Sequence, residues 1–330
     1  MHRPRLHPTA AALACAGALL AFVLAGCGSS GDTMTSQPAP AATEFPSANG
    51  KTIGELLSDS GAKQTKLVIA PAAQTFVKGP NRYPFGVFTL GQEQVEDADI
   101  ALYFAKNGKS KVIGPYPAHL ESLQTKPAYR AQTSGAKGDA NSVYVIPKVD
   151  FDANGPWLAV AILKGENGLE ASRVPSPTVG DNPRIPEVGQ KPPPIQTLTA
   201  ADVGGDLEKL TTRIPPDQMH KVDFAEVLGK KPIVLMFSTP ALCQSRVCGP
   251  VTDIAQQVAD EYEPKADFIH QEVYVDNEIA KGVRPQLTEF GLETEPWTFL
   301  IGKDGRVKDR LEGAFGVAEL EQAMKTIVPG

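Results

Sequence analysis

Two cysteines stand five residues apart in the stretch "STPALCQSRVCGP", residues 238–250. Thiols at this spacing can form a redox couple, an inert staple or part of a metal site. Geometry narrows their placement. On an ideal α-helix, residues i and i+5 lie about 140° apart with a rise of about 7.5 Å. A disulfide needs Cα atoms roughly 4.4 to 6.8 Å apart. Cys243 and Cys248 therefore cannot both be regular helical residues and also be bridged. Gly249-Pro250 marks a helix start, because proline is favoured in a first turn. Cys243 is thus expected in a loop and Cys248 at or near a helix N-terminus. The partial positive charge and free N–H groups there favour thiolate over thiol. Arg246, between the cysteines, is a candidate for lowering their pKa further. A lowered pKa makes a better nucleophile and leaving group at neutral pH. We assign Cys243 as the attacking thiol and Cys248 as the resolving thiol. As a staple the pair would be weak, since closing so short a loop removes little chain entropy.

The other two cysteines are Cys15 and Cys27. The chain opens on the basic stretch "MHRPRLHP" and continues with the apolar "TAAALACAGALLAFVLAG". This is the pattern of an export signal, with no comparable apolar run after it. Leu24-Ala25-Gly26-Cys27 looks like a bacterial lipobox, whose cysteine is acylated and becomes the mature N-terminus. Residues 1–26 are then a lipoprotein signal peptide, and Cys27 is the lipidation site that anchors the protein to a membrane outside the cytoplasm. Cys243 and Cys248 remain as the thiols of the mature chain, in a cell-envelope compartment where disulfides persist.

The 330 residues carry 32 Lys and Arg against 38 Asp and Glu. Removing Arg3 and Arg5 with the signal leaves 30 against 38, a formal charge of −8. That balance argues against nucleic acid and against electrostatic adsorption to anionic lipid.

Composition divides the rest. Residues 27–64 are rich in small and polar types and read as a flexible tether, with a short helical pattern in "KTIGELLSDSG". Residues 65–174 show short strand patterns punctuated by Gly, Asn, Asp and Pro: "KLVIAPA", "FGVFTLG", "DIALYFAK", "KVIGPYPA", "AYRAQTS", "SVYVIPKVDF", "PWLAVAILK" and "LEASRV". Such a run predicts an all-β antiparallel sandwich. The stretch 155–160, "GPWLAV", resembles a late strand of bacterial immunoglobulin-like domains, and Trp157 is expected in the core. Residues 175–194 contain seven prolines and read as a linker acting as a semi-rigid spacer. From 195 to 330 strands and helices alternate. "PIVLMFS" suits a strand buried on both faces. Val251, Ile254, Ala255, Val258 and Tyr262 recur at helical spacing, with Asp253, Gln256 and Gln257 on the opposite face. Asp223 and Glu226 suit a capping box for a short helix. A strand "ADFIHQEVYVD", a short helix "VRPQLTEFGL", a hairpin around Asp304-Gly305 and an amphipathic helix "VAELEQAMKTIV" follow.

This α/β part resembles a thioredoxin-like domain. The strand 232–238 runs into the cysteine loop and a long helix, and "CGPVTDIAQQVADEY" places Cys248 before the "ADEY" ending as that family does. Glu295-Pro296 precedes the strand "WTFLI", where the family carries its cis-proline. The entrance "EVGQKPPPIQTLT" is similar to the "VGxxAPxF" opening of redoxins, the group that includes the TlpA and ResA proteins. The resemblance covers about 140 residues. It implies thiol–disulfide exchange with envelope protein thiols or disulfides, with Pro296 and Trp297 flanking the groove that receives the partner. No cofactor and no metal are expected.

The departures concern function. Four residues, Gln244, Ser245, Arg246 and Val247, separate the cysteines where thioredoxins have two. Leu242 stands where they carry Trp, and Met236 falls where they carry a buried acid. A copper-handling protein of the Sco group would use a Cys-x-x-x-Cys pair with a distant His, and His270 and His220 lack a convincing companion for that. A peroxiredoxin would place Thr three residues before its reactive Cys, whereas Thr239 is four before Cys243. A third reading is a binding or assembly lipoprotein with a structural disulfide. The lipobox makes its own prediction. Metabolic labelling with an alkyne fatty acid is expected to tag the wild-type protein and not Cys27→Ser, and no tag on the wild type would rule out the lipid anchor.

Overall fold

The computed structural model describes residues 36–134, 139–180 and 182–329. The signal segment and Cys27 lie outside the described residues. Among the described residues, no helix is long and apolar enough to cross a membrane.

The N-terminal half is built from antiparallel sheets. After helix α1 (Ile53–Ser60) come β1 (Lys63–Gln64), β2 (Val68–Pro71), β3 (Gly79–Phe88), β4 (Ile100–Ala105), β5 (Ile113–Pro117) and β6 (His119–Ser122). They are followed by β7 (Ser142–Phe151), β8 (Gly155–Pro156), β9 (Leu158–Gly165), β10 (Gly168–Val174) and β11 (Thr178–Val179). Strand β8 pairs with β11 in a two-stranded ribbon. One larger sheet runs β1-β10-β9-β4-β5, with β1 and β10 parallel, and the other runs β2-β3-β7-β6. Side chains from both, among them Tyr83, Phe85, Phe104, Phe151 and Leu163, form the core between them. Trp157 belongs to this core, and its Nε1–H donates to Ala153 O at 2.9 Å. Two strand expectations are corrected. The stretch "AYRAQTS" is no strand, holding only a single turn at Pro127–Tyr129 inside a loop, and β6, "HLES", is a strand the pattern did not mark.

The segment expected as a tether is docked where it is described. Thr52 and Glu55 form a reciprocal capping box on α1. Phe45, Ala48 and Leu56 are buried against Ala101, Tyr103 and Ile162 on the outer face of the five-stranded sheet. Tyr103 Oη donates to Pro46 O at 2.7 Å. The physical reason is that β4 is apolar on both faces, so its second face needs a cover.

The C-terminal half is a mixed α/β sheet. Its elements are α2 (Phe224–Val227), β12 (Ile233–Ser238), α3 (Cys248–Tyr262), β13 (Asp267–Glu272), α4 (Pro285–Glu289), β14 (Trp297–Ile301), β15 (Val307–Glu312) and α5 (Val317–Met324). The strand order is β13-β12-β14-β15, with β12 and β13 parallel and the other pairs antiparallel. Helices α3 and α5 cover one face, where Met236, Ile254, Leu320 and Met324 are buried. Phe224, Phe290 and Phe299 fill the other. Asp223 caps α2 by accepting from Ala225 N at 3.2 Å.

The proline-rich stretch does not behave as a spacer. Within it, Val179 is buried in the core between the two β-sheets and Ile185 in the α/β core. Gly189 N donates to Val307 O at 2.8 Å and Val307 N donates to Gln190 O at 2.9 Å, so this segment pairs with the edge of the β14–β15 hairpin.

The two halves share one core. Leu123, Val143 and Val145 from the four-stranded sheet are buried with Val251, Ile254 and Phe315 from the α/β half. Polar clasps surround this seam. Arg82 binds Glu319 through two nitrogens, at 2.5 and 2.7 Å, and donates to Glu312 O and Ala314 O. Arg213 Nε donates to Asp253 Oδ1 at 2.8 Å, and Arg213 also donates to Tyr129 O and Pro215 O. Asp253 Oδ2 accepts from Ala131 N at 2.9 Å. Asp253 and Gln256 are therefore buried, although the helical pattern placed them on an outer face. The loop after β6 and residues 211–218 lie over that face.

Removing one member of a buried ion pair strands the other charge. Arg213→Ala is expected to cost about 3–5 kcal/mol of unfolding free energy in a urea titration. The double variant Arg213→Met, Asp253→Leu recovers part of that loss.

Candidate active site

Strand β12 ends at Ser238, and the chain turns through residues 239–247 before α3 begins at Cys248. Cys248 is the first helical residue and is fully buried. Cys243 lies in the turn, half-exposed. The two are joined in a disulfide with Cα atoms 5.9 Å apart. The loop closes because it reverses direction: Arg246 adopts a left-handed φ of 60°. Ala140 N donates to Arg246 O at 3.2 Å, and Ala241 N donates to Thr212 Oγ1 at 3.0 Å, so the loop is held from both sides. Ser245 Oγ lies 3.1 Å from Cys243 Sγ.

Gly249 is the tight point. A Cβ there would lie 2.9 Å from Ser134 Oγ and 3.5 Å from both Thr133 O and Pro240 O. The first turn of α3 is thus pressed against the loop after β6, which leaves Cys243 as the accessible sulfur. Arg246 is exposed on the turn, between the cysteines in sequence.

Pro296 follows a cis Glu295–Pro296 bond and is buried. Trp297 pairs with Phe237 in register, so Pro296 falls level with Ser238, at the end of the sheet from which the cysteine loop departs. Trp297 itself is corrected. It is buried, stacked on Phe299, and donates from Nε1 to Thr294 Oγ1, so it is chiefly a core residue, with one edge lining an open pocket beside Arg310 and Glu312. Burial, reinforced by the charge of Glu272, pushes the neighbouring Glu295 carboxyl up.

Beneath the disulfide lies a polar column that the sequence reading missed. Thr252 Oγ1 donates to Cys248 O at 2.7 Å. Ser238 Oγ lies 2.7 Å from Thr252 Oγ1. His270 Nε2 lies 3.0 Å from Ser238 Oγ and 3.1 Å from Ser238 O. His270 Nδ1 lies 2.8 Å from Asp217 Oδ2. His220 Nε2 stands 3.1 Å from Asp217 Oδ1. All of these side chains are buried. A hydroxyl has one hydrogen to give. Thr252 gives its hydrogen to the Cys248 carbonyl, so Ser238 gives its own to Thr252, and His270 Nε2–H donates to Ser238. Burial alone would raise the Asp217 carboxyl, but the charges of His270 and His220 and the hydrogen bond of His270 hold it well below the usual carboxylate range. Burial alone would lower His270, and the charge and hydrogen bond of Asp217 outweigh it and raise the imidazole. The signal available in the sequence was a buried-strand pattern, "DFIHQE", with a histidine on the helix-facing side. His270 pairs in register with Met236, the place where a thioredoxin would carry its acid.

No protein-family model matches this chain, and no curated protein matches it. Among solved structures, a likeness is found to the titin domains Z1Z2 in complex with telethonin. It has 14% identity and a TM-score of 0.17, over 39% of this chain and 55% of that one. The match spans about half of that chain's length, and its score is too low to carry an argument.

The burial difference between the two sulfurs makes a kinetic prediction. After reduction in native buffer, Cys243 is alkylated first and Cys248 stays protected until the protein is unfolded. Equal labelling rates by mass spectrometry would contradict this placement.

Proposed function

We propose that this protein is a lipid-anchored, extracytoplasmic thiol–disulfide exchange protein of a cell envelope, acting through Cys243 and Cys248. One observation carries the reading: the bridged pair joins a half-exposed sulfur in a loop to a fully buried sulfur on the first residue of α3. A partner's thiolate attacks Cys243, the accessible sulfur. The Cys243–Cys248 bond breaks, a mixed disulfide forms at Cys243, and Cys248 leaves as a thiolate stabilised by the helix N-terminus. In the reverse direction, Cys243 attacks a partner disulfide and Cys248 resolves the intermediate. The strand order with one parallel and two antiparallel pairings, and the cis bond before Pro296, support a thioredoxin-like α/β half. The partners are envelope protein thiols or disulfides. The membrane is reached through the lipid on Cys27, and nucleic acid is not a partner. Buried Glu or Asp directly under Cys248 is replaced in this reading by the Ser238–His270–Asp217 column.

The alternative is a binding or assembly lipoprotein whose disulfide only holds the loop. A glutathione redox titration separates the two, with the pair followed by mass shift after alkylation and Cys243→Ser as control. A reversible midpoint between about −120 and −270 mV is expected for an exchange protein. A bond still oxidised below about −300 mV would make it structural.

A further inference from the structure

We propose that Asp217, His220 and His270 form a binding site for a single Zn²⁺ ion, separate from the cysteines and holding residues 215–220 against β13. Their ligand atoms all lie within 4.8 Å of one another, and all three side chains are buried. This inference does not rest on the exchange reading above.

The first argument is about hydrogen atoms. His270 Nε2 is committed to Ser238, so its Nδ1 faces the Asp217 carboxylate carrying either a proton or a metal ion. His220 Nε2 faces the other oxygen of the same carboxylate at 3.1 Å, yet it has no hydrogen-bond partner. A buried imidazole nitrogen left unpaired is costly. Two ring nitrogens thus converge on one carboxylate, and a proton on Nδ1 of His270 satisfies only one of them. One cation among the three satisfies both nitrogens and the carboxylate together.

The second argument is the donor set. Two imidazole nitrogens and one carboxylate oxygen suit Zn²⁺. Calcium and magnesium prefer sites built of oxygen atoms, and Cu(I) prefers thiolates. The ring nitrogens and oxygens are spaced at 2.8 and 3.1 Å. Ligands on a tetrahedral zinc with bonds of about 2.0–2.2 Å stand about 3.3–3.6 Å apart, so the carboxylate moves out by about half an ångström to admit the ion.

The third argument is the support around the ligands. Histidines that ligate metals usually engage their second nitrogen in a hydrogen bond that fixes the ring. His270 Nε2 does so with Ser238 O and Oγ. Met219 N donates to Asp217 Oδ1 at 3.2 Å and orients the carboxylate. His270 N donates to Met219 O at 2.8 Å, which holds the segment carrying Asp217 and His220 beside β13. Three protein ligands leave the fourth tetrahedral position to a water, and the ion would fasten this segment under Ser238, the residue from which the cysteine loop departs.

The test uses the full-length protein in detergent, without a histidine tag, stripped with EDTA and dialysed. Zn²⁺ is titrated against a chromophoric chelator, and metal content is read by mass spectrometry after gel filtration. The expected result is one Zn²⁺ per chain, bound equally by the oxidised protein and by the Cys243→Ser, Cys248→Ser variant. His220→Gln leaves the His270–Asp217 pair in place, and its thermal melt without metal shows that it folds. In that variant a direct ligand is lost, so the affinity is expected to fall by more than the roughly 100-fold that loss of an outer-shell partner costs. Three results would each overturn the proposal: no zinc retained after gel filtration, affinity unchanged in folded His220→Gln, or binding that requires free thiols.

Discussion

A buried arginine beside a buried aspartate governs how this protein is put together. Asp253 sits on the face of α3 that an isolated α/β domain would turn to water. Arg213 reaches it from the strap 211–218 and also takes the carbonyls of Tyr129 and Pro215. Burial pushes the Asp253 carboxyl up, against the pull of Ala131 N–H and Arg213. A charge in that position is tolerated only because every neighbouring group is arranged to meet it. The loop after β6 and the strap are therefore fixed to α3 together, and they bury the first turn of that helix.

That arrangement explains what the β-sheet half contributes. Its four-stranded sheet supplies Val143 and Val145 to the core that α3 and α5 complete. Its loop places Ser134 and Thr133 against Gly249, next to Cys248. The β half is consequently part of the environment of the disulfide, since it helps decide which sulfur meets solvent.

The chemistry of the site follows from where polar groups lie in the sheet. Met236 on β12 is packed in the apolar core. The adjacent strand offers His270 in register with it, tied to Asp217, and these form a polar column under the helix start. Ser238 and Thr252 connect it to the Cys248 carbonyl, in surroundings where low dielectric strengthens each hydrogen bond.

The local features were legible in the chain because they depend on residues close in sequence. The position of Cys248 at a helix start, the closing amphipathic helix, the hairpin at Asp304-Gly305 and the burial of Trp157 all follow from short patterns. The strand at 119–122 was invisible, because "HLES" carries no alternation beyond one apolar residue. The proline-rich segment was misjudged because composition reports stiffness, whereas Val179 and Ile185 found cores to enter. By itself the sequence determined the element types, the acidic balance and the half-loop, half-helix placement of the cysteines. Only the tertiary structure decided that the two halves share a core, that Asp253 is buried, and that Asp217, His220 and His270 meet. Those outcomes join residues 40 to 237 positions apart, and hydrophobic burial and charge pairing at such separations leave no periodic mark in the chain.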